Sequence, residues 1–309
     1  MSKENTAVTK KKIKRCKEDV VFDAACFIIL TLVLFVVAYP LYWVIISSIS
    51  APSAVSSGKV LLHPIGFTLK GYAEVFKNDQ VMRGFLNSLI ITFCGVMVNL
   101  IVTLPTSYAL SRSYFSGMKP ITIFYLITMF FGGGLIPTYL FIQRLQMLNT
   151  IWALILPGCL SVYNMIVART FFKSNISEEL YEAAEIDGCT QARFFFQIAL
   201  PLSKAIIAIL VLYYGVGHWN SYFSALVYIS DKAKYPLQLV LRNILITNQT
   251  ALSQTATTAA ARAALQEKQQ LIDVMKYSLI IISSIPVLVM YPLVQKHFVK
   301  GVMIGSMKG

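Results

Sequence analysis

Six stretches of this chain run for about 20 residues or more without one Asp, Glu, Lys or Arg, the length an α-helix needs to cross a bilayer core. They extend from Ala24 to near Ser50, Gly84 to Ser111, Pro120 to Gln143, Leu145 to Ala168, Ala205 to Ser230 and Tyr277 to Gln295. Inside lipid no water satisfies a backbone amide, so each segment must close its own hydrogen bonds. The expected class is therefore an all-α polytopic membrane protein with six transmembrane helices. A seventh uncharged stretch, Asn243 to Ala261, is read as lying outside the membrane. Thr247, Asn248, Gln249, Thr250, Ser253, Gln254 and Thr255 crowd it with polar groups that are costly to leave unpaired in lipid. A composition of 56% hydrophobic and 13% charged residues excludes an ordinary soluble enzyme and, equally, a disordered chain.

The formal net charge is +13, from 27 Lys and Arg against 14 Asp and Glu. Taken alone, that balance suits nucleic acid or anionic lipid. Its distribution favours membrane topology, because Lys10, Lys11, Lys12, Lys14, Arg15 and Lys17 form a run just before the first span. Both termini are thus expected in the cytosol, with residues 1–19 a basic tail at the lipid headgroups rather than a nucleic-acid arm. Residues 20–298 form the spanning domain, and 299–309 a second cytosolic tail. The first span reads as a retained anchor: its apolar part exceeds a signal h-region, and no small-residue cleavage site precedes Tyr39, Pro40 and Leu41. Cys16, Cys26, Cys94, Cys159 and Cys189 fall inside spans or on the cytosolic side, so no disulfide framework is expected.

Pro40, Pro105, Pro137, Pro157, Pro286 and Pro292 lie in or near the spans and can kink them where neighbours satisfy the freed carbonyls. Gly132, Gly133 and Gly134, with Pro137, leave two readings of the third span, a bend or very close packing against a partner, and close packing is favoured. Residues 225–276 form the largest external piece, in which Ala259 to Gln270 reads as a short helix.

The segment 175–201, between the fourth and fifth spans, carries most of the functional information. Asn175 or Ser177 can cap a helix whose first turn holds Glu178 and Glu179, beside the positive end of the helix dipole. That helix continues through Leu180, Tyr181, Glu182, Ala183, Ala184, Glu185 and Ile186, and Gly188 supplies a left-handed C-terminal cap. A second short helix, Gln191 to Ile198, leads through Leu200 and Pro201 into the fifth span. Ala183 and Ala184 leave a surface another protein can approach closely, and Tyr181 and Ile186 offer apolar anchors for a groove. An amphipathic loop lying on the membrane surface fits the same residues.

The spacing of Glu182, Ala183, Ala184, Gly188, Ile198, Leu200 and Pro201 resembles the EAA loop of permease subunits in bacterial ATP-binding cassette (ABC) importers. Asp187 matches the form common in carbohydrate uptake permeases, whereas Cys189 stands where a small residue such as Ala is more usual. Gly134 to Gly158 with Leu148 to Ala153, Gly217 to Asn220, and Tyr235 to Leu237 are similar to the Gram-positive oligosaccharide branch of that family. The resemblance covers nearly all of the chain from the first span onward.

That resemblance implies the type I importer permease fold in a bacterial cell membrane, with Tyr181, Glu182, Ala183, Ala184, Ile186, Asp187 and Gly188 forming a cytosolic coupling helix. It implies a second homologous permease, two ATPase subunits that bind the ATP and Mg, and an extracellular sugar-binding lipoprotein. It implies no cofactor held by this chain, and Gly188→Asp is expected to abolish transport. The residues agree that the chain is no enzyme: a Walker loop needs GxxxxGK before Ser or Thr, and the Gly58–Lys59 pair is followed by Val60. His63, His218 and His297 are too scattered for a metal cluster or triad.

A sugar path calls for aromatic faces and hydrogen-bonding side chains inside spans. Tyr214, His218, Trp219, Asn220 and Tyr222 in the fifth span supply them, and an aromatic belt or helix packing explains the same residues. Asn87, Asn99 and Asn164 face the path or bond between helices. An ion-driven secondary transporter is the alternative, and the absence of Asp, Glu, Lys and Arg from the span cores counts against it. A membrane scaffold with no transport role leaves the 175–201 loop without purpose.

Overall fold

The computed structural model describes residues 16–251 and 259–306. The basic run Lys10 to Arg15 and residues 307–309 lie outside this set. The described residues form helices and connecting loops without a strand. The first helix, α1 (Lys17–Ser48), is apolar on every side beyond Asp23, and its buried residues among those described, Ile46, Ser47 and Ser48, lie at its C-terminal end. There Tyr42 OH donates to Leu62 O (2.6 Å), Trp43 Nε1 donates to Val60 O (2.8 Å), and the Trp43 ring meets Tyr277 edge-on at 5.1 Å.

After α2 (Lys70–Lys77), Asn78 caps α3 (Asp79–Ala109) by accepting from the N–H groups of Gln80 and Val81. This helix is the hub of the molecule. Its buried face carries small or polar residues, Gly84, Ser88, Gly95, Asn99, Thr103 and Ser107, at intervals of four or seven that keep them on one side and let neighbouring helices approach closely.

The third apolar stretch is not one straight span. It consists of α4 (Met118–Phe130) and α5 (Leu135–Arg144), whose axes diverge by 113°. Gly134, at φ +84°, makes the corner, and among the described residues nothing beyond the chain neighbours lies within 4 Å of a side chain placed at Gly132 or Gly133. The bend, the other of the two readings, is therefore present and is made at Gly134, and no close packing within the described chain engages Gly132 or Gly133.

The fourth stretch also breaks, by 51° between Trp152–Gly158 and α6 (Val162–Asn175). Then comes α7 (Glu178–Ile186), and the segment Gln191–Leu202 meets α8 (Lys204–Trp219) at 79°. The expected second helix, Gln191 to Ile198, is a single helical turn passing into a π-helical turn at Phe195–Ala199. The fifth span stops at Trp219 instead of running to Ser230; a short helix, Phe223–Tyr228, follows separately.

Two helices complete the chain. The first, α9 (Leu237–Ala251), covers the start of the rejected seventh stretch and buries Leu237, Leu239 and Val240 against the bundle. The second, α10 (Ala259–Ser306), absorbs both the Ala-rich segment and the sixth span, so Ala259 to Gln270 is no separate element. At 48 residues it is about 72 Å long at ~1.5 Å per residue. The hub α3 packs against α6, α8 and α9, while α10 packs against α1, α2 and α8. Lys17–Ser48, Asp79–Ala109 and Gln269–Pro292 are long and apolar enough to cross a membrane alone, and the three bent pairs bring the spans to six.

Candidate functional site

The helix α7 is defined at both ends by its own sequence. Ser177 Oγ accepts from the Leu180 N–H (3.3 Å), and Glu178 and Glu179 occupy the first turn, where a negative charge meets the helix dipole favourably. At the other end Gly188 takes φ +78°, and the Cys189 N–H reaches back to Ala184 O (2.9 Å), a Schellman-type closure.

One face of α7 is committed to the chain itself. Tyr181 is 7% exposed; its ring stacks on Tyr114 at 5.4 Å and meets Phe194 edge-on at 5.2 Å. Ala184 packs half-buried against the same cluster. The opposite face is open. Glu182, Ala183, Asp187 and Gly188 are exposed, and Ile186 is 87% exposed. Of the two apolar anchors the sequence offers, Tyr181 points inward to seat the helix and Ile186 points outward.

Beneath that seat the ends of α3 and α6 are tied together. Glu178 accepts from both the Ser113 N–H (2.9 Å) and the Ser113 hydroxyl (2.6 Å). These two bonds, the hydroxyl's first, hold its carboxyl below the ordinary value. Arg112, fully buried, donates through Nη2 to Phe172 O (3.1 Å) and Ile176 O (3.0 Å), and its guanidinium lies 5.0 Å over the Tyr108 ring. Arg169 donates in the opposite direction, from Nε to Leu110 O (2.8 Å).

A second polar cluster lies farther along α3. Asn99 donates through Nδ2 to Gly158 O (2.7 Å), which leaves its Oδ1 to accept, so His218 Nε2 at 2.7 Å is the donor. Gly95 makes the room: a Cβ there would sit 2.5 Å from His218 Nε2. Tyr214 OH shares a 2.7 Å bond with Thr103 Oγ1 and accepts from the Ser161 N–H (3.3 Å). Tyr214, His218 and Asn99 thus meet at the junction of α3, α8 and the break before α6.

The other residues proposed for a path are placed apart. Trp219 is buried, edge-on to Phe85 at 5.7 Å, with its indole N–H donating to Ser283 O (2.8 Å). Asn220, just past the end of α8, is exposed and bonds back to Val216 O, and Tyr222 lies beyond it, 44% exposed. Asn87 donates to Ala233 O (2.8 Å) and Tyr235 O (3.0 Å), pinning the loop before α9. Asn164 is buried in the first turn of α6, whose start Ser161 caps.

Sequence reasoning missed Ser113, Arg112 and Arg169. Each arginine is the first charge beside an uncharged stretch and counts there only as a topology signal. For Arg112 the available clue is position, since it falls just past the end of α3, where a helix C-terminus exposes carbonyls that need donors; Arg169, midway along α6, offers no such clue.

No family model matches the chain. Among curated proteins it is 35% identical over 288 residues to the polygalacturonan/rhamnogalacturonan transport system permease protein YtcP of Bacillus subtilis (strain 168), covering 93% of this chain and 98% of that one. It is 38% identical over 289 residues to protein LplC of the same strain, covering 94% and 95%. Among solved structures it is similar to a chain of a bacterial ABC transporter involved in the import of the acidic polysaccharide alginate. There the TM-score is 0.82 at 27% identity, covering 93% of this chain and all of that one.

Proposed function

Because the chain belongs to the permease subunits of ABC sugar importers, we propose that it forms one half of a membrane pathway for an oligosaccharide, driven by a separate ATPase through α7. The observation that carries this reading is the division of α7 into a buried seat at Tyr181 and an open face at Ile186. A partner's groove can take the open face, while the seat returns the partner's displacement to the spans. The end that carries α7 is then cytosolic. A second permease completes the pathway, two ATPase subunits hold ATP and Mg, and an extracellular lipoprotein delivers the sugar. Closure of the ATPases tips the paired permeases between inward- and outward-facing arrangements as rigid bodies.

A finer reading concerns the substrate. In this orientation Lys59, Lys70, Arg83, Arg144 and Lys232 are exposed at the external end, where short loops are ordinarily poor in Lys and Arg. Cations there favour an oligosaccharide carrying carboxylates, the chemistry named for the polygalacturonan relative and the alginate importer.

The test is uptake by native cells of labelled oligogalacturonides beside neutral oligosaccharides. ATP-driven import predicts that depleting ATP stops uptake while collapsing ion gradients at constant ATP does not. Uronate oligomers should compete better than neutral ones. Uptake that follows the ion gradient instead would return the secondary-transporter reading.

A further inference from the structure

A helix C-terminus leaves its last four carbonyls without intrahelical donors and carries a partial negative charge. Two such ends meet here, those of α3 and α6, and each is closed by an arginine from the other. Arg112, two residues beyond the α3 cap at Leu110, donates to Ile176 O, which has no intrahelical donor, and to Phe172 O, which it shares with the Ile176 N–H at the end of α6. Arg169, within α6, donates to Leu110 O at the end of α3. Among the described residues no carboxylate forms a salt bridge with Arg112, although Glu178 feels its charge; Arg112 is 1% exposed, and its hydrogen bonds go to carbonyls and the neighbouring Ser111 hydroxyl. A buried cation costs several kcal/mol to desolvate, so the arrangement is a poor way to gain stability alone. What it provides is geometry: with Nε on the Ser111 hydroxyl and Nη2 on both carbonyls the plane of the guanidinium is fixed, whereas a lysine's single rotating ammonium has no second nitrogen to fix it.

We infer that Arg112 and Arg169 are positioning residues, a reciprocal clasp that makes the α7-bearing ends of α3 and α6 one body, which carries a push on α7 into the hub. The inference rests on the proposed role of α7. Two further ties attach that helix to the same body: the Glu178–Ser113 pair and the Tyr181–Tyr114 stack. Only Ile176 and Ser177 separate α6 from α7, so the covalent link is short. Since α3 also packs on α8 and α9, a displacement entering at α7 reaches most of the bundle through it.

The experiment uses the complex purified from native cells in mild detergent, with spin labels at the exposed positions Glu185 on α7 and Ala109 at the end of α3. Distances are measured with and without ATP and vanadate, and ATPase turnover is followed in parallel. In the otherwise wild-type chain the pair should give one narrow distance that nucleotide leaves unchanged. With Arg112→Gln the distribution should widen at least about twofold, with ATPase turnover within about twofold of wild type. Arg112→Lys and Arg169→Lys, which keep the charge and serve if the Gln variant fails to fold, should widen it as well.

A wild-type pair that changes distance with nucleotide, or lysine variants as narrow as wild type, would overturn the clasp. Lysine variants that fold but lose the ATPase altogether would also overturn it, by showing a role in assembly alone. If the wild-type chain brings no ATPase with it, the proposed function fails, and that outcome is distinct from failure of the clasp.

Discussion

At Gly188 the backbone is left-handed and, among the described residues, nothing beyond its chain neighbours lies within 4 Å of a side chain placed there, so the constraint within the chain itself is conformational. Asp is among the residues that tolerate that region best and a β-branched side chain among the worst, so Gly188→Val is a sharper probe than Gly188→Asp. Glu178 offers a second residue-level test. Its carboxyl is held down chiefly by the Ser113 hydroxyl, with the Ser113 N–H second. A lowered folded-state value means the pair contributes fully above the ordinary 4.5 and loses its contribution as pH falls through the folded value. In Ser113→Ala, NMR of labelled glutamate should show this carboxyl titrating closer to 4.5. An unmoved titration would mean the hydroxyl is not the cause.

Among the elements, the bent third span separates two glycines with different duties. Gly134 combines φ +84° with ψ 171°, a region essentially closed to other residues, whereas Gly132 has open space and no positive φ. Gly134→Ala should cost about 1–3 kcal/mol and lower the unfolding temperature in detergent, and Gly132→Ala should be close to neutral. Equal effects would mean the corner is not where the strain lies.

The same element shows what the sequence could reveal. Length and absence of charge locate six apolar stretches, because lipid imposes those two demands on every span. They do not show that three stretches break, since a 113° corner at Gly134 and a 51° corner before Ser161 cost no charge and no hydropathy. The cap residues around α7 were legible, because Ser177 and Gly188 act on their own neighbours. The Asn99–His218 bond and the paired arginines were not, since they join residues 119 and about 60 positions apart.

For the whole molecule, α3 sits among three helices while α7 hangs from the joined ends of α3 and α6. On the proposed function, force enters such a membrane domain at one end and is distributed through its hub, and nothing in the sequence suggests an ATP site of its own. The account stands or falls on whether α7 engages an ATPase. The most direct measurement is mild-detergent purification of the tagged chain from its native cells, with mass spectrometry of what accompanies it, for wild type and Gly188→Val. The account predicts a second permease and an ATPase with the wild type, and loss of the ATPase but not the permease in the variant. Recovery of the wild-type chain alone in transport-active form, or equal ATPase recovery from both, would contradict it.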